Sequence, residues 1–195
     1  MSWPAPLTLE GPHVRLVPLS HDHHDGLVEA VRDGRLWELW YTVVPTPEGM
    51  DAEIDRRLGL QAKGTMLPFT VIEPRTGRIA GMTTYMNIEA EHRRLEIGST
   101  WYRKSVQRTA LNTDAKRLLL GHAFEALDCI AVEFRTSFYN QGSRRAIERL
   151  GAKLDGILRS HRMDAEGRIR DSCVYSVIAQ EWPAVKAHLE GLLAR

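Results

Sequence analysis

Three things are scarce in this chain: long apolar runs, cysteine, and a surplus of either charge. No apolar stretch approaches the roughly 20 residues that cross a bilayer, so no membrane partner is expected. The only cysteines are Cys129 and Cys173, far apart and in no CxxC pattern. Each lies in an apolar run and reads as a small core residue of a cytoplasmic protein. The formal net charge is +1, whereas a duplex nucleic-acid binder carries a strongly basic face, so no nucleic-acid partner is expected. Met1-Ser2-Trp3-Pro4-Ala5-Pro6 has neither the basic start nor the apolar stretch of a signal peptide. His21, His23 and His24 crowd one helix start, but no carboxylate or cysteine set at ligand spacing accompanies them. No metal is therefore expected.

What is present fits one folded unit. Hydrophobic residues make up 43% and charged residues 26% of the 195, ordinary for a globular protein large enough to need no disulfide or metal staple. No repeat, low-complexity tract or Pro/Gly linker divides the chain, so residues 1–195 read as a single α+β domain. His13 to Leu19 alternates as a strand, and Ser20 caps a helix with Leu27 and Val31 on one face. Thr46-Pro47-Glu48 opens a second helix, striped by Met50, Ile54 and Leu58. Strands follow at Phe69–Glu73, Ile79–Asn87 and Leu95–Tyr102. Thr113 opens an amphipathic helix, Ile130–Thr136 is a buried strand, and Asn140–Leu150 is a short helix closed by Gly151. A long hairpin, Leu154–Met163 with Ile169–Ile178, precedes a last helix over Trp182–Leu193.

Two stretches carry chemistry. The first four amides of a helix lack internal partners and sit at the positive end of its dipole, so a loop entering a helix can hold phosphates. Here that loop, Arg103 to Asn112, puts Arg103, Lys104 and Arg108 before the helix and Lys116 and Arg117 one turn into it. By itself it fits equally a solvated basic loop with Thr113 as a cap. The second stretch is Asn140-Gln141-Gly142-Ser143, followed by Ile147 and Leu150-Gly151. Taken alone, it reads just as well as a capped helix with a core face.

Together, and with the element order, these stretches resemble the GNAT superfamily of acyl-CoA-dependent N-acyltransferases. The likeness is closest to its Rim-type, ribosomal-protein N-terminal acetyltransferase branch, and it covers nearly the whole chain. Gln107-Arg108-Thr109-Ala110-Leu111-Asn112 fits the frame of the family's phosphate loop, with Ala110 and Asn112 where glycines are usual. Asn140, Ser143, Leu150 and Gly151 fit its second motif, while Ile147 stands where many members have a tyrosine acid.

The resemblance implies a mixed, mostly antiparallel seven-stranded sheet flanked by helices, splayed between the Leu95–Tyr102 and Ile130–Thr136 strands. It implies acetyl-CoA as cosubstrate, an amine acceptor such as a protein N-terminus or small amine, and a possible homodimer. Cofactor contacts would come from backbone near Trp101 and Tyr102, from Gln107, Arg108, Thr109, Ala110, Leu111, Asn112, Thr113 and Lys116, and from Asn140 and Ser143. Glu96 is the candidate base, with Glu89, Glu91 and Asp171 as alternates, and Ser143 the candidate proton donor to sulfur. Trp37, Trp40 and Tyr41 either line an acceptor pocket facing the hairpin or pack between helices. On the hairpin side, Arg159, His161, Arg170 and Asp171 are the acceptor-side candidates. The rival reading is an acyl-CoA-binding sensor of the same fold.

Overall fold

The computed structural model describes residues 3–164 and 166–194. Its centre is one eight-stranded sheet, in the order β1-β2-β3-β4-β5-β6-β8-β7. The strands are β1 (Leu9–Glu10), β2 (Arg15–Pro18), β3 (Met66–Ile72), β4 (Ile79–Glu89), β5 (Arg94–Tyr102), β6 (Ala131–Ser137), β7 (Lys153–Met163) and β8 (Ile169–Ile178). Seven were expected. The extra one, β1, pairs only Leu9 with Leu16 and Glu10 with Arg15, too short for any alternation to announce it. All neighbours are antiparallel except β5 and β6.

Among the described residues, five α-helices cover the two faces: α1 (His24–Arg32), α2 (Met50–Ala62), α3 (Ala110–Gly121), α4 (Gln141–Arg149) and α5 (Trp182–Leu193). One core packs Leu27, Val31, Met50 and Ile54 from α1 and α2 against Met82 and Trp101 of the sheet. The larger core packs Leu111, Ala115, Leu119 and Leu189 from α3 and α5 on residues such as Phe69, Tyr85 and Val132. Covered on both faces, β3 is buried along its whole length, which is why it reads as a near-continuous apolar run rather than an alternating one. No helix among the described residues is long and apolar enough to cross a membrane.

Two helix starts differ from expectation. Thr46 Oγ1 accepts from the Gly49 amide at 3.1 Å, closing a turn ahead of the helix, so α2 begins at Met50 rather than Pro47. α3 begins at Ala110 rather than Thr113, because Thr109 takes the N-cap and its hydroxyl accepts from the Leu111 amide at 3.3 Å. Thr113 instead lies buried inside the helix, accepting from Arg149 at 2.8 Å. Asn140 caps α4 as its spacing implies, its side chain accepting from Ser143 N at 3.0 Å, and Gly151 follows the helix with φ +95°.

Candidate active site

The site starts where two strands part. β5 and β6 pair over three positions only, ending at Glu96 opposite Glu133. Beyond that point the edge of β5 that faces β6 has no strand partner, and a cleft of about 210 Å³ opens between them. This is the expected splay. Within it β5 bulges: Thr84 faces Gly98 while Met82 faces Trp101, and Ser99 takes φ +45°. Gly81 makes the bulge possible, since a Cβ there, at φ +149°, would lie 2.1 Å from the Trp101 carbonyl oxygen.

A buried arginine that sequence reasoning missed fixes this bulge. Arg57 is 2% exposed; it donates to Glu53 at 2.7 Å, to Thr84 Oγ1 at 2.6 Å and to the Ser99 carbonyl at 3.0 Å. In sequence, Glu53 and Arg57 read as an ordinary (i, i+4) surface pair.

Glu96 faces the cleft and is only 5% exposed. Burial pushes its carboxyl above the usual range, partly offset by the Asn87 amide donating at 2.7 Å and by Arg135 at 3.6 Å. The plain alternative, pairing with Arg93 or Arg94, does not occur: Arg93 binds Asp128 and Arg94 binds Glu133. A largely desolvated carboxyl with a raised pKa suits a general base. The alternates Glu89 and Glu91 are exposed. Asp171 lines the cleft, but hydrogen bonds from the Ser160 amide and Arg159 hold its carboxyl below the usual range, as a fixed anion.

Of the acceptor candidates, Tyr41 lines the cleft whereas Trp37 packs into the α1–α2 core. Trp40 rests against Tyr139, ring centroids 5.3 Å apart, with the Arg168 guanidinium 5.4 Å from its own ring. The β7–β8 hairpin and the segment before α2 thus meet across the cleft.

The loop into α3 is only partly as expected. Gln107, Arg108 and Thr109 are exposed beside the first amides of the helix. Positive φ falls on Arg108 (62°) and not on Ala110 or Asn112, which belong to the first helical turn. Gln107 Nε2 donates to the Tyr102 carbonyl at 3.0 Å, tying the loop to the strand end. Trp101 and Tyr102 bury their side chains, leaving only backbone for a ligand. Arg103 is buried against Glu29 and Asp33, and Arg117 is held by Asp114. Lys116 points into the sheet, its Nζ 3.0 Å from both Thr83 Oγ1 and Thr100 Oγ1, and burial depresses its pKa to about 7. Arg108 and Lys104 make no ion pair among the described residues.

On the β6 side, Ser137 and Asn140 line the cleft, and the Ser137 hydroxyl is buried without a partner. Ser143 is half-buried at the start of α4, and Ile147 lies in the core. Cys129 is buried, its thiol pushed up to about 12 by that burial, which argues against a cysteine nucleophile. The histidines are occupied elsewhere: His21 with Asp55, His24 with Asp25, and His23 with Thr70.

The splayed parallel pair beside a helix N-terminus, with a buried carboxyl at the fork, is the arrangement that the family resemblance implies. Residues 13–153 match the acetyltransferase (GNAT) domain family, and the chain belongs to it. Among curated relatives, it is 31% identical over 110 residues to "Putative ribosomal N-acetyltransferase YdaF" of Bacillus subtilis (strain 168), covering 56% of this chain and 59% of that protein. The chain thus spans less than two thirds of that relative's length. A GCN5-related N-acetyltransferase from Brucella melitensis superposes with a TM-score of 0.86 at 31% identity, over 97% of this chain and 86% of that one. RimJ of Mycobacterium smegmatis, solved with CoA-disulfide, shares the fold with a TM-score of 0.79 at 22% identity, over 100% and 97% of the two chains.

Proposed function

We propose that this protein transfers the acetyl group of acetyl-CoA directly to an amine, with Glu96 as the base. The carrying observation is the position of Glu96: buried, with a raised pKa, where β5 and β6 separate. The thioester supplies the activated acetyl group. The first amides of α3 and the exposed Arg108 side chain would hold its diphosphate, Asn140 and the unpartnered Ser137 hydroxyl its pantetheine arm. Unpaired β5 backbone beyond Glu96 would steady the carbonyl. The amine forms the new C–N bond, the C–S bond breaks, Glu96 takes the proton from nitrogen and releases it to water, and the sulfur leaves as thiol on a proton from the Ser143 hydroxyl, which water restores.

The base favours an α-amine over a lysine side chain. At pH 7 about a tenth of an α-amine near pKa 7.9 is already neutral, against about 0.04% of a lysine-like amine. A protein N-terminus therefore asks less of a carboxylate than a lysine does. We further propose that residues 1–195 form a single-domain cytoplasmic homodimer with no nucleic-acid partner; sedimentation would check the dimer.

The test is in two stages. Acetyl-CoA at 100 times its Kd should stabilise the fold by about 2.7 kcal/mol, a melting shift of about 5–10 °C. Thiol release with a panel of peptides and amines, lost in E96Q, should follow. No melting shift would sink the reading; a shift without turnover on any amine would make the protein a sensor.

A further inference from the structure

The acceptor side of the cleft is short of negative charge. Arg162 of β7 and Arg170 of β8 are register partners, so their side chains project side by side from one face of the hairpin, where like charges repel. Both line the cleft that holds Glu96. Neither forms an ion pair among the described residues, and Arg170 Nε is buried without a hydrogen-bond partner. The neighbouring charges are already matched: Arg135 lies against Glu133 at 2.8 Å and Glu96 at 3.6 Å, while Asp171 is held by Arg159 and the Ser160 amide. That leaves two guanidinium groups lining a cleft whose one buried carboxyl, Glu96, already accepts from Asn87 through Oε2. The field also reaches His161 of β7, which bonds the cleft-lining Ser172 and whose pKa is lowered by burial and by Arg162 and Arg135. A purely solvated pair would need no such placement, because the Arg170 Nε–H would then face water.

We propose that Arg162 and Arg170 form an anion site for the acceptor, so that the amine acetylated here carries a carboxylate close to its nitrogen. Paired planar guanidinium groups suit a carboxylate by charge and by shape. The carboxylate has two sources, the α-carboxylate of a free amino acid or an acidic side chain directly after a peptide's N-terminal residue. The proposal rests on the acetyl-transfer reading above, and the experiment separates the two.

CoA cannot donate an acetyl group, so acceptor binding to the CoA-loaded protein is readable by calorimetry without turnover. Two matched pairs serve as probes: Ser-Glu-Ala-amide against Ser-Gln-Ala-amide, and free serine against serinamide. In one pair the anionic member should bind about ten- to hundredfold more tightly, the scale of charge-assisted hydrogen bonds. The pair that discriminates identifies the source. The R162Q/R170Q double variant should lose most of that discrimination, and R162Q alone, at an exposed position, should lose part of it. Equal affinities within both pairs, or no binding by any probe, would overturn the anion site. Thiol release from acetyl-CoA with the same four acceptors runs alongside. A binding preference for the anionic member with no thiol release would leave the anion site standing and remove acetyl transfer.

Discussion

Replacing Lys116 with methionine should stabilise this protein at neutral pH and do progressively less as the solution is made alkaline. Lys116 is the buried cation without a carboxylate partner among the described residues, held by the hydroxyls of Thr83 and Thr100, each 3.0 Å from Nζ. Desolvation lowers its pKa to about 7, whereas the unfolded chain returns it to about 10.4. Below pH 7 the ammonium is charged in both states and the burial penalty is fully present. Between pH 7 and about 10.4 the unfolded chain keeps a proton that the folded protein has released, so wild-type stability rises with pH by about 1.4 kcal/mol per pH unit from this group. Above that range the penalty is gone. Methionine matches the stem in volume and carries no charge, and Thr83 and Thr100 still hydrogen-bond each other at 2.8 Å. The gap between K116M and wild type, read from urea midpoints at pH 7.5 and 9.5, should therefore shrink by roughly 2–3 kcal/mol. Taking the difference cancels every other titrating group. Parallel pH curves for the two proteins would refute the claim that Lys116 is a desolvated lysine.

Four further outcomes test the site. E96Q should lower kcat/KM by about 10²- to 10⁴-fold while sparing CoA affinity. It should also remove the rise in rate that wild type shows as the raised Glu96 pKa is passed from below; an unchanged acidic limb would move the base elsewhere. R57M should cost roughly 3 kcal/mol, the low end for breaking a buried pair, since Glu53 keeps Arg56 at 2.7 Å; an unchanged urea midpoint would show that the bulge holds without it. G81A should destabilise by about 1–3 kcal/mol, because its Cβ meets the Trp101 carbonyl, and a stability equal to wild type would mean β5 moves freely there. R108A should weaken CoA binding at least about tenfold with the melting temperature of the free protein unchanged, and equal affinity would remove that contact.

The sequence pattern served best where one face of an element is wet. α4 and its Asn140 cap, the α5 boundaries and the β7–β8 hairpin follow the expected residues closely. It failed where polar groups are buried in helices, because a lysine or arginine at helical spacing reads as surface. Lys116 shares a helix face with Thr113 and Leu120, and that phase turns it inward. Arg57 is hidden by its pairing with Glu53. Thr109 and Thr113 are both plausible caps by residue type, and only the buried Leu111 between them favours the earlier one. The splay came from family likeness alone, since a strand's own residues do not say where its neighbour leaves it.

Arg162, unlike its register partner Arg170, is not singled out by the sequence, and the reason bears on function. Alternation in β7 cannot set which of its residues faces the cleft, because the register with β8 shifts between Leu158 and Arg162, where Ser160 takes φ +51°. A strand without that irregularity would keep one face from end to end, and a one-residue slip would send every side chain beyond it to the opposite side. The irregularity thus decides which hairpin charges line the cleft. Asp171 reinforces it by accepting the Ser160 amide at 2.8 Å and Arg159 at 2.6 Å. On the proposed reading, the base at the fork between β5 and β6 and the acceptor site on the hairpin lie beside different backbone irregularities, one at Ser99 and one at Ser160. Acceptor preference can therefore change through the second without disturbing Glu96.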